Sequence, residues 1–324
     1  YVNLNKGFQY RFGDSTFNEQ GEPNWTVEEQ SKDWKRKTTD KLSAKERLGR
    51  NYVWMKIKLP KGDWGNPHLF LYRSLDIFEI YVDHQLFHQF GDWDNPDKLM
   101  AYPSHFISIP QEMMGKTIYF RIYSTYDPIG LSSTMLFGNG ESIILGLILA
   151  DAHKYIISII FMFLSMLSML LYWKNRRERG FLYFSMFAMS ASAIIITQQV
   201  QSKFIWNLPF LDYYLNIIAV FSIMFLFLQF IEYIYEGPYR NVIRWLKRIS
   251  LLMFIAVIMV SSINPKYLIQ YKVYDIDSLF ILLCFAIVMP ILFHHLHKNN
   301  QKEHRVLYIG ILLFTLICIK GRIA

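Results

Sequence analysis

The densest group of chemistry-bearing residues is Asp92-Trp93-Asp94-Asn95-Pro96-Asp97. Alternating carboxylates can hold a hard cation through oxygen, which makes Asp92, Asp94 and Asp97 a candidate calcium set. Pro96 breaks the alternation, and no glycine supplies the sharp turn of a calcium loop, so a solvated turn competes with that reading. A third reading is a sugar site. An indole stacks on the apolar face of a pyranose, and the neighbouring acids bind its hydroxyls. Arg73, Asp92, Trp93, Asp94 and His105 form that candidate ligand set. His294, His295, His297 and His304 invite a metal, but His294 and His295 point in different directions on a helix, and no cysteine or carboxylate pair completes a shell. They read as a basic cap at a helix end. Asp76 and Glu79 could be posed as a glycosidase pair; their odd spacing on a strand puts them on opposite faces, and the pairing fails. With no glycine-rich phosphate loop and no nucleophile elbow, the expectation is a chain without a cofactor and without catalysis of its own.

The elements that must position these residues are of two kinds. Residues 1–142 hold 17 Lys/Arg and 18 Asp/Glu, and residues 143–324 hold 17 and 8. The basic excess of +8 therefore belongs to the second half, which argues against a nucleic-acid partner. In the first half Asn51–Leu59 alternates, with Val53, Met55, Ile57 and Leu59 on one side and Tyr52, Trp54, Lys56 and Lys58 on the other, the period of a half-buried strand. Residues 78–83 and Thr117–Tyr123 alternate likewise, and 68–72, 86–90 and 105–109 are shorter candidates. Turn residues separate them, which predicts an antiparallel β-sandwich. Residues 27–49 read as an irregular or partly helical excursion. This half has no cysteine and is expected to fold without disulfides.

The motifs Gln9-Tyr10-Arg11-Phe12-Gly13-Asp14-Ser15, Gly21-Glu22-Pro23-Asn24-Trp25 and Tyr52-Val53-Trp54 resemble the opening of the extracytoplasmic domain of bacterial seven-transmembrane receptors with diverse intracellular signalling modules. The run Asp76 to Leu86 with Phe90-Gly91-Asp92 is similar to the galactose-binding-like jelly roll found beside glycoside hydrolase domains. There the hairpin usually turns on Asn-Gly or Asp-Gly; here Asp83-His84 stands in that place. The resemblance implies an all-β jelly-roll sandwich over 1–141, followed by a helical membrane bundle over 142–324.

The membrane half opens with Tyr155–Trp173, nineteen residues without charge, proline or glycine, about 28 Å of helix against a hydrocarbon core of about 30 Å. Further apolar runs lie at 181–197, 213–231, 249–263, 278–293 and 306–319, making six of a probable seven spans on the family pattern. The fourth and sixth are short for full spans. Loops 174–180, 236–248 and 294–305 carry eleven Lys/Arg, and loops 198–212 and 264–277 carry three. Basic loops stay in the cytoplasm, so the sandwich is expected outside a bacterial cytoplasmic membrane. Residues 142–154 are expected to begin a helix that runs into the first span, with Asp151 and Lys154 on one face near the outer surface. Pro290 is expected to kink the fifth span. Asp151, Lys154 and Pro290 are the signal-transmission candidates.

The leading reading is a receptor that senses a carbohydrate or cell-envelope ligand and relays to a cytoplasmic output domain. The resemblance implies a diguanylate cyclase, histidine kinase or phosphatase, none of them within this chain. By analogy with such outputs, two copies are expected to pair. The chain starts at Tyr1 and stops just after an apolar run, which reads as a piece of a longer protein with an upstream export signal or anchor. The competing reading, a membrane enzyme or transporter carrying a carbohydrate-binding module, requires polar residues converging at mid-membrane or broken helices at a repeat interface.

Overall fold

The computed structural model describes residues 1–5, 7–27, 33–36, 42, 44–72, 76–96, 103–125, 129–131, 134–199, 208–263 and 273–299. Arg73, Asp97, His304 and the expected sixth span lie outside them. The chain divides into two units, Tyr1–Ala152 with Gln199–Tyr213, and His153–Gln198 with Tyr214–Ala324.

The first unit is a sandwich of two antiparallel sheets. Its strands are β1 (Val2–Asn3), β2 (Gln9–Phe12), β3 (Lys35–Arg36), β4 (Tyr52–Lys58), β5 (Pro67–Leu71), β6 (Ile77–Val82), β7 (Gln85–Phe90), β8 (His105–Ser108), β9 (Thr117–Tyr123) and β10 (Met135–Asn139). One sheet runs β1-β10-β5-β8 and the other β3-β2-β4-β9-β6-β7. In the second, Val53, Met55 and Ile57 of β4 stand opposite Ile122, Phe120 and Ile118 of β9. These side chains meet Leu69, Leu71, Met135 and Phe137 of the first sheet in the inter-sheet core.

The half-buried expectation for β4 needs correction. Trp54 faces away from the inter-sheet core yet is fully buried, and every residue of β6 is buried. The excursion after β2, with the short helices α1 (Asn24–Val27) and α2 (Ala44–Arg47), is the reason. Trp25 and Trp34 from it cover Trp54, Tyr81 and Tyr119 and make a second small core on the outer face.

The β6–β7 hairpin turns on Asp83 and His84, both with positive φ (48° and 69°). This backbone matches the strand twist but normally favours glycine. Bonds anchor both residues: the Asp83 carboxylate accepts from Lys116 Nζ at 2.6 Å, and His84 Nδ1 lies 3.0 Å from Thr26 Oγ1.

The outer face of the four-stranded sheet seats the start of α3 (Gly140–Lys174), a single helix of 35 residues. Asn139 caps it, its side-chain oxygen accepting the Ser142 N–H at 3.2 Å, and Glu141 suits the positive end of the dipole. The cap starts the helix ahead of residue 142. Ile143, fully buried, packs on Phe70 and Leu136 with Tyr72, Phe106 and Leu147 around them, a contribution of about 2 kcal/mol. The seat is close. A Cβ on Gly140 would lie 2.7 Å from the His68 ring, and one at Gly146 2.5 Å from the Tyr1 ring.

The second unit continues with α4 (Arg179–Gln198), α5 (Pro209–Ile234), α6 (Arg240–Ile263) and α7 (Val273–Asn299); α3 to α7 are five helices long and apolar enough to cross a membrane. Neighbours are tied by hydroxyls. Ser158 of α3 and Ser192 of α4 each donate to the other's backbone carbonyl, at 3.2 and 3.0 Å. Seven residues along, the Ser165 hydroxyl donates to the Ser185 carbonyl at 2.9 Å. Ser190 donates to the Ala219 carbonyl at 2.8 Å and Asn216 to the Thr197 hydroxyl at 2.9 Å, joining α4 to α5. Small hydroxyl residues let helices approach closely in lipid, where each such bond contributes on the order of 1 kcal/mol.

α5 sits at the centre, with Phe227 against Phe187 of α4 and Phe285 of α7. α6 begins well before 249 because its first turns are amphipathic. Ile243 and Leu246 are buried, while Arg244 Nε donates to Glu232 Oε1 at 2.9 Å and Lys247 bonds both Glu232 and Gln229 of α5. A count of apolar residues alone misses those turns. Pro290 lies inside α7, where it leaves the Ala286 carbonyl without its N–H donor.

A Ser165→Leu substitution is expected to destabilise the bundle by about 2 kcal/mol through overpacking, and Ser165→Ala by about 1 kcal/mol through the lost bond alone. Unfolding of the whole chain in mixed micelles, followed by tryptophan fluorescence, checks the difference.

Candidate functional site

The outer face of the six-stranded sheet carries a charged and aromatic cluster centred on Arg121. Alternation in β9 sends Ile118, Phe120 and Ile122 inward, and so sends Arg121 outward opposite Trp54 and Glu79. Its guanidinium donates from Nε to Asp14 Oδ1 at 2.8 Å and from Nη2 to Asp14 Oδ2, a bidentate fork. Nη1 donates to Glu79 Oε2 at 3.0 Å. The Tyr81 hydroxyl donates to the same Glu79 oxygen at 2.8 Å, and Trp54 Nε1 donates to Asp14 Oδ1 at 3.1 Å. Three rings surround the guanidinium carbon: Trp93 at 4.8 Å, Tyr52 at 5.2 Å and Phe17 at 5.2 Å. Arg11 lies 3.9 Å above Trp25 next to it and pairs with Asp33 at 3.0 Å.

The electrostatics follow from this packing. Burial works against the Arg121 charge, but the bonds and charge of Asp14, then those of Glu79, more than offset it and push its pKa above the ordinary value. Burial, followed by the bond to Glu79, raises the Tyr81 phenol and keeps it protonated. Burial likewise raises Tyr52, against the opposing charge of Arg121. One guanidinium between two carboxylates leaves the centre with a formal excess of one negative charge. It favours neutral or cationic groups over anions.

The expected ligand residues part company here. Trp93 joins the cluster through Arg121. Asp92 folds into a local turn, accepting the Asn95 N–H at 3.1 Å, and Asp94 is exposed. His105, on β8, instead points into the space between the sheets, with ring centroids 4.9 Å from Phe78 and 4.2 Å from Phe90. The six-stranded sheet thus separates His105 from Trp93. Among the described residues no three His, Cys, Asp or Glu side chains gather as metal ligands. Asp76 and Glu79 fall on different duties: Asp76 Oδ2 accepts the Gly130 N–H at 3.2 Å, while Glu79 serves Arg121. His294 and His295 lie against Tyr239 and Tyr235, ring to ring at 6.4 and 4.9 Å. Asp151 and Lys154 lie three residues apart in α3.

Sequence reasoning missed Asp14, Trp54, Glu79, Tyr81 and Arg121 as one group. The signal was the outward phase of β4, β6 and β9; the strand register needed to align it was not available from alternation alone.

The sequence pattern described as 7TM diverse intracellular signalling matches residues 151–320. The chain belongs to this family of transmembrane signalling receptors. No curated protein matches the chain in sequence. The matched range covers α3 from Asp151, α4 to α7 and the apolar run 306–319. The chain is a multi-pass membrane protein with a β-sandwich ahead of its helices.

Two outcomes are expected. Arg121→Ala leaves Glu79 buried without its cation, and should cost about 2 kcal/mol, less than for a fully buried pair because Asp14 is partly in water; thermal unfolding of the chain measures it. Burial, then the neighbouring His88, pushes His105 down from 6.5 to about 4. Between those values the unfolded chain binds a proton that the folded one refuses. Stability therefore falls as pH drops through that window, by up to about 3 kcal/mol, and is insensitive to His105 above it. His105→Phe should flatten that acid limb in a pH series of melting temperatures.

Proposed function

We propose that this chain is the sensing and relay portion of a receptor whose sandwich, galactose-binding-like in kind, lies outside the bacterial cytoplasmic membrane and binds a neutral carbohydrate or cell-envelope fragment. The observation that carries the ligand class is the rim around Arg121. Phe17, Tyr52 and Trp93 offer ring faces, and Asp14 and Arg121 offer acceptors and donors for hydroxyls. The excess negative charge disfavours anionic ligands. The residues that contact ligand are then Asp14, Tyr52, Trp93 and Arg121, with Asp92 and Asp94 on the adjoining turn. Calcium is the lesser role for that turn, since Asp92 is already engaged in it.

Binding biases two arrangements of the helices, and a cytoplasmic output of cyclase, kinase or phosphatase type reads the difference. What supports α3 as the relay is its seat on the four-stranded sheet through Ile143 and its unbroken run to Lys174. The orientation rests on the basic loops: antiparallel contacts of α3 with α4, α4 with α5 and α5 with α6 bring 174–180 and 236–248 to the same end of the second unit. Against a transporter, the polar groups buried between α3, α4 and α5 that carry bonds are mainly hydroxyls on backbone carbonyls, a packing device. Two copies work together, as the output types do.

The test is calorimetry of the whole chain in nanodiscs against neutral oligosaccharides and peptidoglycan fragments. Binding should appear, and Trp93→Ala should weaken it about ten-fold. No heat with any neutral glycan removes the carbohydrate reading.

A further inference from the structure

The helix α3 carries an apolar stripe with a strict heptad spacing. Leu149, Ile156, Phe163 and Leu170 recur every seven residues. Leu145, Ala152, Ile159, Met166 and Trp173 fill the alternate positions, so the spacing runs four-three from 145 to 173 without a break. Apart from the small Ala152, each of these side chains is at least 56% exposed. The opposite side of the helix holds Ser158 and Ser165, whose bonds go to α4. The two charged residues within the stripe's length, Asp151 and Lys154, also fall on that opposite side.

A repeat of 3.5 residues is the period that a second like helix reads, because it keeps one seam facing a partner along a left-handed supercoil. Lipid imposes no such period. Lipid also cannot cover the whole stripe. From Leu145 to Trp173 the stripe is about 42 Å long against a hydrocarbon core of about 30 Å. On the topology proposed above, Asp151, His153 and Lys154 lie at the surface of the bilayer. Leu145 and Leu149 stand before these residues, outside the hydrocarbon, and remain exposed there. A partner must supply apolar cover in water and in lipid along one line. A second copy of this chain does both, since it is inserted in the same direction and presents the same heptad in register. At the flanking positions the stripe sets Ile148 beside His153 across a parallel pair, with no like charges opposed.

We propose that the 145–173 stripe of α3 is the seam of a parallel pair formed with α3 of a second copy. This deepens the pairing of copies stated above by assigning its surface, and needs nothing from the ligand reading.

Disulfide mapping of the whole chain in native membranes tests it, on a background with Cys284→Ala and Cys318→Ala. Cysteines at Leu149 and Ile156 should cross-link copies about ten times more than cysteines at their neighbours Ala150 and Ile157, which lie at the same depth but off the seam. Leu149→Lys, in the part beyond the lipid, should lower the dimer fraction in mass measurements on nanodiscs. Equal or absent cross-linking with a dimer still present overturns this surface and leaves pairing through another face. A monomer, its stripe covered by lipid or by residues 306–319, overturns both.

Discussion

A polypeptide backbone enters hydrocarbon only with its amides paired, and the unbroken hydrogen bonding of α3 satisfies that condition well beyond the bilayer. This helix runs from the first unit into the second. Its first turns must rest on something in water, and the four-stranded sheet provides Phe70, Leu136 and Phe106 on its outer face. Its middle must find neighbours without a hydrophobic drive, since lipid is as apolar as leucine. The serine pairs of α3 with α4, spaced one heptad apart, meet that need with close approach and hydrogen bonds.

The sandwich solves a different problem on its other side. A six-stranded sheet with one face toward the inter-sheet core would ordinarily give its second face to water. Here a segment after β2 folds back over that face and buries Trp54, Tyr81 and Tyr119. Burying aromatics next to an arginine is costly unless the charge is answered, and Asp14 from the same segment answers it, with Glu79 from β6. The Arg121 centre therefore holds the cover in place and also leaves aromatic rings and polar groups at its rim. On the proposed ligand reading, structural and recognition duties coincide in the same residues, so removing Arg121 tests both at once, whereas Trp93 at the edge separates them.

The two-part architecture was legible because its cause is local. Alternation in β4 and β9 reports burial on one face, and the uncharged run 155–173 reports a bilayer; both signals lie within a few consecutive residues. The basic loops were equally plain, as net charge requires no folding. Trp93 was marked for its chemistry, and the structure places it beside the central arginine. His105 was marked on the same grounds and lies on the other side of the sheet, because its position depends on β8 pairing with β5, a pairing between residues far apart in sequence.

By itself the sequence determined the kinds of element and the division into sandwich and membrane helices, since both follow from the spacing of side chains on one segment. Only the tertiary structure decided that Asp14, Trp54, Glu79, Tyr81, Trp93 and Arg121 meet. They come from separate strands and loops, and which of them touch is set by strand register and by the fold-back of the covering segment. A shift of one residue in the pairing of β4, β6 or β9 turns that strand's members of the group to the opposite face, and no periodicity within a strand records which register is taken.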